Sequence, residues 1–393
     1  MPSSTEENDR SRRYKKQLKS FLSDRRGFED YYRLGYLLII LGIFAGLYAA
    51  QSTPPDYKIP FQATAGAILV TGILMLVCLN GNCEPPVNNP WRYLLSTTKE
   101  QREATPVLAC LGDSLTQGTC SSNWVDELVS VLRSELKSLP KELLAPSRAI
   151  FQRPLHTINC GQNCLTSRVA VRERIASVLE CHPNYLVILL GTNDVLGMHL
   201  PWYGDHLRNA WKLREEEPSW DRLEKNLSEL LQACDEYSKA RPKHCDPLQV
   251  ALVTLPPLGE DLTHPANRMV KQANNIIVKL VKSSSNHQSS CQVEVVPLFE
   301  NMERHLRAHE TRNKNSKLWT FSINRWYMVA MFMAPFRHIL KLKWTTMSEW
   351  FGFELCADPL HLNERGAEIL RDLVVKWLLQ KNVETMIKGA YSD

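Results

Sequence analysis

The chain has 393 residues, 44% of them hydrophobic and 23% charged, with 47 Lys/Arg against 42 Asp/Glu. This balance excludes a disordered or fibrous chain and allows a sizeable core in one large domain or two ordinary ones. The net charge of +5 is modest, and residues 1–33 alone hold nine Lys/Arg and six Asp/Glu. That is a local basic tail and not a nucleic-acid-binding surface, because neither zinc-finger spacing nor a basic–aromatic repeat is present.

After the tail come two uncharged runs, 34–50 and 61–80, separated by the proline-bearing turn 51–60. Roughly 20 apolar residues span a bilayer core, so residues 34–80 are expected to form two transmembrane helices in a hairpin. A cleaved signal peptide has a shorter apolar core and a shorter leader. Basic residues crowd before residue 34 and recur after residue 80, at Arg92, Lys99 and Arg102. The positive-inside rule then places the tail and the C-terminal domain in the cytoplasm, on an endomembrane such as the endoplasmic reticulum. A single crossing would put the domain on the other side, and only then would the sequon Asn226-Leu227-Ser228 matter.

Residues 81–104 are polar and proline-bearing and read as a linker. Beyond them, apolar runs alternate with helical patterns. Strands are expected at 107–111, 154–159, 185–190, 249–255 and 292–298, and helices at 122–138, 165–180, 219–239, 265–283 and 364–380. In the first helix Trp124, Leu128, Val131, Leu132 and Leu136 recur at helical spacing. Continuous apolar strands separated by helices imply a parallel sheet covered on both faces, with sites at the carboxyl ends of its strands. The segment 194–218 reads as a loop excursion. Residues 306–355 break the alternation. Within them, 318–344 mixes Trp, Met and Phe with Arg325, Arg337, Lys341 and Lys343, which fits either a segment lying on a membrane or a helical excursion packed on the domain. Residues 383–393 form a tail.

The eleven cysteines are irregularly spaced and include no Cys-x-x-Cys pair. Neither a zinc site nor a disulfide framework is implied, and a reducing compartment is expected.

Three short sequences stand at strand ends or helix starts: Gly112-Asp113-Ser114-Leu115, Gly191-Thr192-Asn193-Asp194, and Asp358-Pro359-Leu360-His361. A serine hydroxyl is a poor nucleophile until a base takes its proton, and an imidazole is the usual base. A carboxylate on the far ring nitrogen fixes the tautomer, and an asparagine amide can donate to a developing oxyanion. Taken singly, Ser114 could be a helix cap, Asn193 a turn residue and Asp358 the cap of the last helix.

With all three motifs in this order, the chain resembles the GDSL/SGNH hydrolase family of esterases and lipases, from about residue 105 to 382. The resemblance implies a three-layer α/β/α, flavodoxin-like domain with a mostly parallel sheet, here preceded by the transmembrane hairpin. It implies Ser114 as nucleophile, His361 as base and Asp358 as its orienting partner, with Asn193 and the backbone N–H of Ser114 in the oxyanion hole. It implies no metal or organic cofactor. The family's second block, Asn-x-x-x-x-Gly, here runs from Asn159 to Cys164. Cys164 therefore stands where the family has glycine, and Gly161 is the alternative donor. The expected activity is hydrolysis of an acyl ester, of a lipid or lysophospholipid. An O-acetyl esterase, an acyltransferase and an inactive membrane-tethered adaptor are the competing readings. Nothing in the sequence fixes the oligomeric state.

Overall fold

The structure is a computed structural model, and it describes residues 4–24, 29–52, 55–128, 131, 155–213, 217–242, 245–286, 289–312 and 323–390. Its centre is a five-stranded, wholly parallel sheet: β1 (Val107–Gly112), β2 (His156–Gly161), β3 (Tyr185–Leu189), β4 (Gln249–Val253) and β5 (Gln292–Val296). The spatial order is β2-β1-β3-β4-β5, the flavodoxin-like order. Every residue of β1, β3 and β4 is buried, as expected of strands covered by helices on both faces. All five expected strands are found, displaced by a residue or two at their ends.

Helices cover the sheet at Trp220–Ala240, Pro265–Asn286, Leu298–Arg312 and Glu364–Ala390. The expected helix over 165–180 forms as two short α segments joined by a π turn at Ala170–Arg174. Of the expected helix 122–138, residues 124–128 are helical and most of the remainder lies outside the described residues. Two expectations change. The segment 194–218 is not a loop excursion: helix Thr192–His199 runs into it and helix Pro201–Ala210 lies within it. Their apolar residues are too few per turn to show a clear period. Residues 81–104 also fold, into helices Pro90–Ser96 and Lys99–Ala104. Asn89 caps the first, with Pro90 at its opening position, and Trp91 anchors it in the core.

Three helices precede these: α1 (Ser4–Leu22), α2 (Glu29–Ser52) and α3 (Pro55–Asn82). Spans Tyr31–Ala49 in α2 and Ile59–Gly81 in α3 are long and apolar enough to cross a membrane. The two helices pack as an antiparallel pair through small residues. A Cβ on Gly42 would come within 2.7 Å of the Leu69 backbone nitrogen, so only glycine permits this approach. The Tyr32 hydroxyl donates to Asn80 Oδ1 at 2.9 Å, tying the start of α2 to the end of α3. α1 lies on the domain built around this sheet, with Tyr14 and Phe21 buried and Arg13 paired to Glu180 at 2.7 Å.

Of the segment 306–355, residues 313–322 lie outside the described set. Helix Ile323–His338 packs against α3, with the His338 ring directly beside Gly81.

Candidate active site

β1 and β3 are neighbours, and the chain leaves them toward opposite sides of the sheet. Such a topological switch opens a crevice at the strands' carboxyl ends. Gly112 pairs with Leu189 on one side and Gly161 on the other, so the turns after β1, β2 and β3 converge. Ser114 begins a one-turn helix, Ser114–Gln117. Asp113 caps it, its Oδ1 accepting the Leu115 N–H at 3.0 Å. The helix thus starts at the serine itself, about seven residues before the periodic pattern announces one, because a single turn has no period to read.

The Ser114 hydroxyl lies 3.0 Å from His361 Nε2, and His361 Nδ1 lies 2.9 Å from Asp358 Oδ2. Some 247 residues separate the serine and histidine in sequence. The other Asp358 oxygen accepts the backbone N–H of Leu360 and of His361, both at 2.8 Å, which leaves Oδ2 facing the ring. All three side chains are buried.

Asn193 is the second residue of the helix after β3, Thr192–His199. Its Nδ2 donates to Leu165 O at 3.0 Å and has a long 3.4 Å contact with Asp113 Oδ2. Its Oδ1 accepts the Tyr203 hydroxyl at 2.9 Å, which fixes the amide's orientation. Cys164 adopts φ = 57°, the left-handed conformation for which glycine is the easy choice. Its carbonyl is held by Trp211 Nε1 at 2.8 Å. Gly161 serves another purpose. A Cβ there would meet Gln117 N at 2.2 Å, and its N–H already donates to Asn159 Oδ1 at 2.9 Å. Asn159 in turn donates to Thr116 O at 2.7 Å, locking β2 to the serine turn.

Sequence reasoning missed Glu260, in the loop after β4. It is fully buried, and its carboxylate accepts the N–H groups of Glu354, Leu355 and Cys356 at 2.6–2.8 Å. Gly259 N–H adds a bond to Pro359 O at 2.8 Å. Together they pin the loop that bears Asp358 and His361. No motif marks a carboxylate whose partners are backbone groups about 95 residues away. The sequence also gave no sign that Asp194 accepts both Ser167 N and Ser167 Oγ, at 2.9 and 2.6 Å. Asn226, the sequon asparagine, is buried and donates to that Ser167 Oγ at 2.9 Å.

Burial dominates the electrostatics. It pushes Asp113 up to about 7, against the Leu115 hydrogen bond and the His361 charge. It raises Asp194 also, opposed by the two Ser167 bonds. Among the described residues no group of His, Cys, Asp or Glu could hold a metal ion, and none of the eleven cysteines forms a disulfide.

A hydroxyl, an imidazole and a carboxylate in hydrogen-bonded series, beside an amide donor, is the arrangement by which serine hydrolases activate oxygen for attack on a carbonyl. Residues 108–374 match the GDSL-like lipase/acylhydrolase family, and the chain belongs to it. It is a carboxylic ester hydrolase of that type. No curated protein matches the sequence. Solved structures similar to it include Axe2, an acetylxylan esterase from Geobacillus stearothermophilus, at 13% identity over 69% of this chain and 93% of that one, with a TM-score of 0.42. The acetyl xylan esterase AlAXEase is similar at 16% identity over 68% and 97%, with a TM-score of 0.42. A lipase/acylhydrolase from Enterococcus faecalis is similar at 15% identity over 70% and 97%, with a TM-score of 0.40.

Proposed function

We propose that this chain is a membrane-anchored serine hydrolase that cleaves acyl esters of lipids at the surface of its own membrane. The Ser114–His361–Asp358 series is the observation that carries the chemistry. His361 Nε2 takes the Ser114 proton as Oγ bonds to the ester carbon. The oxyanion is met by the Ser114 N–H, which has no intrahelical acceptor in the first turn, by the Cys164 N–H, and by Asn193 Nδ2, which exchanges its long 3.4 Å contact with Asp113 Oδ2 for the oxyanion. His361 then gives its proton to the leaving alcohol as the C–O bond breaks. Water attacks the acyl-serine by the same route, and the proton returns to Ser114 Oγ. Asp358 holds the ring with Nδ1–H toward itself.

The lipid half of the proposal rests on the hairpin and on what touches it. Outward side chains of α2 and α3 such as Phe44, Leu47 and Val70 are more than half exposed. That is costly in water and natural in a bilayer. Helix Ile323–His338 extends this apolar surface. Phe332, Phe336, Phe351 and Trp350 form one aromatic cluster with centroids 5.2–5.7 Å apart, and Phe332 and Trp350 are about half exposed. We read residues 34–80 as the anchor, 105–382 as the hydrolase and 306–355 as its contact with the interface.

The docked α1 and the hydrolase share one end of the hairpin. Two crossings with basic flanks then favour the cytoplasmic face of an endomembrane. The luminal, sugar-directed reading loses its sequence support, because Asn226 is buried and bonded inside the fold.

The test is fatty-acid release from acyl lipids by the full chain in vesicles. Ser114→Ala should abolish it, and deleting 34–80 should reduce lipid turnover far more than turnover of soluble p-nitrophenyl acetate. An equal fall on both esters contradicts the membrane half, and an active Ser114→Ala contradicts the whole.

A further inference from the structure

A cavity of about 420 Å³ lies where the hairpin meets the hydrolase. That volume is within the range of small-molecule sites, about 300–1,000 Å³. One wall is the end of α3 at Gly81 and the chain that follows it to Val87. A second is the segment Gln117–Asn123, which continues directly from the Ser114 helix. The third is Arg337 to Trp344, at the end of the helix that packs on α3. The cavity therefore sits between the membrane-facing aromatic cluster and the nucleophile's own turn. Gly118 is four residues from Ser114, about 6 Å along a helix. Ser122 N–H donates to Leu362 O at 3.0 Å, so the same wall also abuts the neighbour of His361.

The cavity's charges are of both signs. Arg337 and Lys341 supply the cations, Glu84 and Asp126 the anions. Arg337 is held in place through one nitrogen: its Nη1 donates to Leu342 O at 3.0 Å and lies 3.9 Å from Glu364 Oε1, and its guanidinium lies 5.6 Å from the Trp344 ring centre. A guanidinium has five N–H donors, so several remain for a ligand. Lys341 and Glu84 are both exposed at the cavity's rim. Burial, helped by Arg337 and Lys341, pushes His338 down to about 4, so its ring is neutral near pH 7. A simple anion would be attracted by two of these groups and repelled by the other two. A neutral polar group would leave both pairs unused.

We propose that this cavity binds the zwitterionic headgroup of a glycerophospholipid, its phosphate toward Arg337 and Lys341 and its ammonium toward Glu84 and Asp126. The inference rests on the hydrolase reading and names its substrate class. The headgroup in the cavity places the glycerol esters on the Ser114 side, with the acyl chains running back along α3 into the bilayer. Headgroup binding would then orient the ester carbonyl for attack.

The experiment uses the full chain in vesicles and compares three lipids with the same acyl chains: phosphatidylcholine, phosphatidic acid and diacylglycerol. Wild type should favour phosphatidylcholine at least tenfold over each of the others in kcat/KM. Lys341→Glu should cut its preference over diacylglycerol at least tenfold, mainly through KM. Glu84→Lys should cut its preference over phosphatidic acid, with Lys341→Glu leaving that ratio less affected. Melting temperatures of both variants near wild type confirm that they fold, and both sites are at the surface. Diacylglycerol turned over as well as phosphatidylcholine overturns the proposal, as do unchanged ratios in both variants. Phosphatidic acid preferred over phosphatidylcholine also overturns it, in favour of a purely anionic ligand. Wild-type inactivity on p-nitrophenyl acetate would instead count against the hydrolase reading itself.

Discussion

The hydrolase domain and the helical hairpin solve the same problem in opposite ways. In the domain, β1, β3 and β4 are wholly buried, and polar groups beneath the surface find partners such as Asp358 with His361 or Glu260 with three backbone N–H groups. The hairpin is inverted. Its small residues meet inside, at Gly42 and Gly72, while Phe44, Leu47 and Val70 face out. The domain carries its own interior, whereas on the reading proposed above the hairpin borrows one from lipid. A change in the domain should therefore act in any medium, and a change in the hairpin should act only where a bilayer surrounds it.

The largest domain effect short of the nucleophile belongs to Asn193. Asn193→Ala removes the proposed oxyanion donor and should lower kcat on p-nitrophenyl acetate by about 100- to 1000-fold. The loss should be equal in detergent and in vesicles, and steady-state kinetics in the two media checks this. A loss confined to vesicles would break the contrast. Next comes Glu260. Glu260→Ala strands three buried N–H groups, at about 1 kcal/mol or more each. The melting temperature should fall in both media, and kcat should fall with it as the Asp358–His361 loop loosens.

Gly42→Leu tests the other region. The added side chain would collide with the Leu69 backbone and force α2 and α3 apart, at roughly 1–3 kcal/mol. Resistance of the membrane-inserted hairpin to protease should drop, with turnover of a soluble ester unchanged. The smallest effect is Cys164→Gly. Relief of the left-handed strain should stabilise the domain by about 1 kcal/mol, partly offset by glycine's greater freedom when unfolded. Thermal unfolding measures the difference, and activity should persist.

Much of this was legible in the sequence because the informative residues are chemically unusual where they stand. Ser114, Asn193, Asp358 and His361 each follow an apolar run or precede a helix; the fold sets Ser114, His361 and Asp358 in one hydrogen-bonded series and Asn193 against Asp113 beside it. Cys164 was readable as a substitution within a motif, and its φ of 57° shows why glycine would suit that position. What the sequence hid depends on distant backbone. Glu260 looks like any loop glutamate until residues 354–356 fold over it. Asn226 looks like an exposed sequon until Ser167 and Asp194 close around it. The helices within 192–210 were missed because tertiary packing, not periodicity, holds such short elements.

The central claim is that Ser114 is a nucleophile activated by His361. A fluorophosphonate probe reacts with activated serines and tests it directly. The account predicts stoichiometric labelling of the full-length protein at Ser114, abolished in Ser114→Ala and strongly slowed in His361→Ala. Absence of labelling in the wild type, or equal labelling of Ser114→Ala, would contradict it.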